Sequence, residues 1–129
     1  MPQIFLSENE EEKMKNCHKI VKIATLEPEG HVTAVNANDF FDHLKQVIKA
    51  EESSILLVDM KQVEFVDSPG LMALVNGFRF ARSLGRHLSL CSLAPSVKMV
   101  LELTQLDRVF EIFDNRDAFD GHYNLVSVQ

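Results

Sequence analysis

LLVDMKQVEFVDSPGLMALV, residues Leu56–Val75, contains the transition on which the fold turns. With Ser54 and Ile55 before it, the segment opens as a continuous apolar run of strand length that ends at Asp59. Such runs suit strands covered on both faces. A short extended piece, Val63–Val66, follows. Then the apolar spacing changes from that of a strand to that of a helix at Asp67-Ser68-Pro69-Gly70. Leu71, Leu74, Val75, Phe78 and Ala81 fall on one helical stripe, and Gly85 suits the position just past the helix end. Placing Ser68 at the N-cap lets its hydroxyl accept from the Gly70 or Leu71 amide, at a value of about 1 kcal/mol. Pro69 then takes the first helical position, where its missing N–H costs nothing. Gly70 leaves the start of this helix without a side chain to block an approaching group.

Strand and helix signals alternate on either side. Lys19–Leu26 (KIVKIATL) mixes β-branched residues in near alternation and reads as a strand. Glu27-Pro28-Glu29-Gly30 is a turn, and His31–Thr33 is expected to fold back on that strand. Phe40, Phe41, Leu44, Val47 and Ile48 give Ala34–Ala50 a helical face, with Asn36 or Asn38 as cap. His87–Leu93 and Val109–Phe113 read as further strands. Pro95 opens a helix between them, and Asn115 or Asp117 begins a last helical turn. The expected fold is α/β: a four- or five-stranded, mostly parallel sheet with an antiparallel first hairpin, flanked by about four helices.

The ends are less regular. Residues 1–16 contain the acidic run SENEEEK and are expected to be a flexible leader, although Ile4-Phe5-Leu6 would also suit a short edge strand. Residues 17–120 form the domain, and 121–129 are a tail or an edge segment. No basic stretch precedes Ile4, so the N-terminus does not read as a secretory signal.

Composition narrows the functional classes. The chain has 129 residues, enough for one domain with a real core, and a net charge of −6 that disfavours nucleic acid and anionic membranes. No apolar run is long enough to span a bilayer. Cys17 and Cys91 cannot build a disulfide framework, and a cytoplasmic setting is the simplest. The five histidines are scattered, without metal-ligand spacing, so neither a metal nor another cofactor is expected. No P-loop or Gly-x-Ser-x-Gly elbow occurs. Asp59, at the end of a buried strand, resembles the phosphoacceptor of a receiver domain. That chemistry also needs an acidic pair for magnesium, and Glu27 and Glu29 are separated by a proline.

The run Leu56–Val75 resembles the STAS domain, the family of anti-sigma-factor antagonists: an apolar strand with an Asp, a short gap, then Asp-Ser-Ser/Thr/Ala-Gly-Leu, with Pro69 here at the variable position. The likeness continues through Ala81–Phe119, and Gly30 and Thr33 fit the family's early turn. It implies a non-catalytic cytoplasmic regulator whose partner is an anti-sigma factor, often a serine kinase of the histidine-kinase-like ATPase superfamily. In phosphorylated members the acceptor is the residue just before the glycine. Here that residue is Pro69, which has no hydroxyl, and Ser68 matches the preceding serine, a weak acceptor candidate. The expected docking edge is Asp67, Ser68, Pro69, Gly70, Leu71 and Met72, with Asn76 at its rim and Gly30 and His31 beside it. Self-association through Met72 and Phe80 stays open. The alternative is a general interaction domain in a signalling complex outside sigma control.

Overall fold

The computed structural model describes residues 3–7, 19–50, 54–123 and 125–127. Among the described residues, eight strands and four helices follow one another in an alternating order. They are β1 (Gln3–Ser7), β2 (Lys19–Leu26), β3 (Gly30–Val32), α1 (Ala37–Ala50), β4 (Ile55–Asp59), β5 (Val63–Val66), α2 (Ser68–Ser83), β6 (His87–Cys91), α3 (Pro95–Leu103), β7 (Glu111–Phe113), α4 (Arg116–His122) and β8 (Leu125–Ser127). A 3-10 turn at Leu106–Arg108 lies between α3 and β7.

The main sheet has the order β7-β6-β4-β2-β1-β8. Its first four strands are parallel, with Ile23 opposite Ile55, Leu57 opposite Ser89 and Ser89 opposite Glu111. β1 and β8 add antiparallel pairing at one edge and bring the sheet to six strands. The antiparallel partner of β2 is therefore β1: Ile4-Phe5-Leu6 form a strand, but an interior one, because β8 pairs on its other side and takes the edge. Residues 8–16 of the acidic leader, and Cys17 and His18 at the expected start of the domain, lie outside the described residues. β3 does not fold back on β2. It pairs in parallel with β5 in a separate two-stranded sheet, which carries Gly30 and His31 away from the main sheet.

All of β4 is buried, and its alternation divides the core in two. Leu56 and Val58 face one cluster with Leu44 and Ile48 of α1, Leu71 and Leu74 of α2, and Val97 and Leu101 of α3. Ile55 and Leu57 face the other with Ile23, Cys91 and Phe119 of α4. A strand covered on both sides needs apolar residues at every position, which accounts for the unbroken run in the sequence. The stripe on α2 faces the first cluster as its spacing requires, and Gly85, with φ +71°, ends that helix. The Gly85 amide donates to the Arg82 carbonyl and the Arg86 amide to the Ala81 carbonyl. Among the described residues no helix is long and apolar enough to cross a membrane.

Candidate partner-docking site

The cap of α2 is Asp67, one residue before the expected position. Its backbone is extended, at φ −95° and ψ −175°, and its Oδ1 accepts from the Gly70 amide at 2.9 Å. Its Oδ2 accepts from the Ala34 amide at 3.0 Å. A carboxylate can hold two separate backbone donors in this way and carries a charge that suits a helix N-terminus. A serine hydroxyl at the cap would lack both advantages. Ser68 thus stands inside the first turn and Pro69 one place further in, still among the amides that need no intrahelical partner.

Gly70 does not leave the helix open to a visitor. It is buried, and a Cβ built there would lie 2.1 Å from the Val32 carbonyl oxygen and 2.8 Å from its carbon. The same carbonyl accepts from the Asp67 amide at 3.2 Å. The glycine lets β3 pack against the first turn of α2, so its role is internal. Leu71 is also buried and belongs to the core. The docking edge expected over residues 67–72 therefore divides: Gly70 and Leu71 are inside, Asp67 is half-buried, and Ser68, Pro69 and Met72 face outward.

The outward residues border a groove of about 230 Å³ between α1 and α2, lined in part by Asn38, Phe41, Pro69, Met72 and Asn76. Met72 is 46% exposed, well above an ordinary core position, and Asn76 stands half-buried at the rim. Phe80 is half-buried and packs against the main core.

The turn after β3 is tied to the same helix start. Asn36 Oδ1 accepts from the Thr33 amide and Asn36 Nδ2 donates to the His31 carbonyl, both at 2.8 Å. With the Asp67–Ala34 bond, these contacts hold residues 31–36 beside α2. Val35 projects at the tip, 95% exposed. Gly30 has φ +75°, a conformation that disfavours any side chain there. His31 is exposed, with its ring edge-on to Phe65 at 5.8 Å and its Nε2 3.6 Å from Glu64. Val35 and Phe65 are exposed apolar residues that sequence reasoning passed over. An apolar residue in the polar turn TAVNAN was the available signal for Val35. Nothing in the sequence distinguishes Phe65 from a buried strand residue.

Asp59 is 6% exposed, and its carboxylate accepts from the Lys61 amide at 3.1 Å. Lys61 Nζ lies 3.6 Å from Asp59 and 3.8 Å from Glu27, so a lysine links these two acids. Among the described residues no three acidic, histidine or cysteine side chains gather as metal ligands would. Cys91 is fully buried and burial pushes its thiol pKa up, the opposite of what a reactive thiolate requires.

Fold and site together define a small α/β domain whose candidate contact surface lies at a strand-to-helix edge. Residues 15–118 match the sequence profile of the STAS domain. The chain belongs to that family. A protein of Thermotoga neapolitana, named as a candidate anti-sigma factor antagonist, is 33% identical over 102 residues, covering 75% of this chain and 87% of the relative. The anti-sigma F factor antagonist of Paenibacillus polymyxa is 22% identical over 72 residues, 56% of this chain, and this chain spans 62% of that relative's length. Among solved structures, a candidate anti-sigma factor antagonist of Thermotoga maritima superposes with a TM-score of 0.72 at 25% identity, covering 79% of this chain and 87% of that one.

Proposed function

We propose that this chain is a non-catalytic, protein-binding regulator that acts in the cytoplasm as an anti-sigma-factor antagonist. It docks on an anti-sigma factor of the serine-kinase type through the exposed start of α2. The observation that carries this reading is the placement of Ser68, Pro69 and Met72 on the outside of one helical turn, above the groove shared with α1. Exposed apolar surface at a groove bordered by polar residues such as Asn38 and Asn76 is the kind of surface a protein partner covers. The names of the relatives agree with an anti-sigma factor as the partner.

Pro69 stands where phosphorylated relatives carry their acceptor hydroxyl, so binding here is not switched at that position. Ser68 is exposed but displaced by one residue along the turn, roughly 100° around the helix. Affinity capture from the source cell with wild type and Met72→Glu tests the docking reading. Loss of one specific ATPase-superfamily protein on mutation is the expected result. Recovery of other partners, with no such ATPase among them, would move the chain to the scaffold reading outside sigma control. Incubating it with a captured kinase and ATP should leave Ser68 without stoichiometric phosphate.

A further inference from the structure

The far end of α2 borders a second feature. The last turns of that helix, the Gly85-Arg86 turn and the starts of β6 and β7 line a half-open cleft of about 420 Å³. That volume falls within the range of small-molecule sites. Phe78, Leu88 and Val109 supply apolar wall, while Arg82 and Arg86 supply charge. It lies on the order of 20 Å along α2 from the docking edge, at the helical rise per residue.

Arg86 is the residue that needs explanation. Its Nη1 is buried and has no hydrogen-bond partner among the described residues. Neither Arg86 nor Arg82 is within ion-pair distance of a carboxylate among the described residues. Glu111 also lines the cleft, but its Oε1 accepts from Ser89 Oγ at 3.1 Å and from the Tyr123 hydroxyl. Two arginines with no ion-pair partner among the described residues thus line one cleft in a chain of net charge −6. An unpaired guanidinium beside an apolar wall favours an anionic partner, and its planar fork matches a carboxylate. The nearby helix C-terminus and the Glu111 carboxylate both disfavour a multiply charged anion. The apolar walls favour a hydrocarbon body behind the charged head.

We infer that this cleft is a second binding site, taking a small organic monocarboxylate whose head meets Arg86 and Arg82 and whose apolar body lies against Phe78, Leu88 and Val109. The inference is independent of what docks at the other end of α2.

The probe is 4-phenylbutyrate, titrated into the isotope-labelled full chain and followed by amide chemical shifts. The expected result is saturable binding, with shifts concentrated in residues 78–88 and 109–111. The neutral analogue 4-phenyl-1-butanol should bind about tenfold more weakly, the value of one lost charge-assisted hydrogen bond. Arg86→Gln should weaken the carboxylate by a similar factor. Arg82→Gln, at an exposed position, gives a second reading if Arg86→Gln fails to fold. Absence of saturable shifts up to about 10 mM probe would overturn the site, since affinity beyond that is negligible. So would shifts centred elsewhere, equal binding of acid and alcohol, or wild-type affinity in the folded arginine variants.

Discussion

Replacing Gly70 with alanine sets two physical effects of opposite sign against each other. On an open helix the change is favourable by about 1 kcal/mol, because alanine is the better helix former. Here the new methyl would meet the Val32 carbonyl at 2.1 Å, and Val66 Cγ1 at 3.1 Å. The closest obstacle is backbone, so no side-chain rotation relieves it. β3 would have to move off α2 by roughly 1 Å, at the 1–3 kcal/mol typical of overpacking. That movement also pulls on the Asp67–Val32 and Asp67–Ala34 hydrogen bonds, each worth about 1 kcal/mol. The sum is a net destabilisation of about 2 kcal/mol. With a urea m-value of about 1.5 kcal/mol/M for a chain of this size, the midpoint should fall by roughly 1.3 M. Gly121→Ala is the control, because a Cβ there meets nothing within 4 Å and the change should be neutral or stabilising. A Gly70→Ala protein as stable as wild type would refute the close approach of β3. Gly70 would then return to being a docking residue.

The capping assignment yields a sharper comparison. Asp67→Ala should cost about 1–2 kcal/mol in urea unfolding, while Ser68→Ala should stay within about 0.5 kcal/mol, since Ser68 is exposed and makes no side-chain hydrogen bond among the described residues. The reverse ranking would restore Ser68 as the cap. Burial, reinforced by the hydrogen bond to Glu111, pushes the Tyr123 phenol above its ordinary pKa. The folded chain then keeps a proton that the unfolded chain loses near pH 10, so stability falls as pH rises through that value. Tyr123→Phe should make this alkaline decline shallower, and identical declines in the two proteins would contradict the assignment.

The strand–helix alternation, the burial of β4 on both faces and the stripe on α2 were all legible in the sequence. Each depends on contacts along one element, which hydrophobic period reports directly. The end of α2 at Gly85 was legible for the same reason, since a positive φ selects glycine locally. The Asp67 cap was not. Its choice over Ser68 depends on the Ala34 amide, which belongs to a turn distant in sequence. The pairing of β3 with β5, rather than with β2, likewise rests on contacts between separated segments.

Sequence alone determined that this chain is an α/β domain of the STAS type, because that follows from which residues occupy which positions. Tertiary structure decided which residues of Asp67–Met72 lie at the surface. Gly70 and Leu71 are turned inward and Ser68, Pro69 and Met72 outward, and that division is set by where β3 and α1 pack against one helical turn. The cleft at Arg86 is likewise a product of packing, since its walls come from α2, β6 and the approach to β7, which no local pattern brings together.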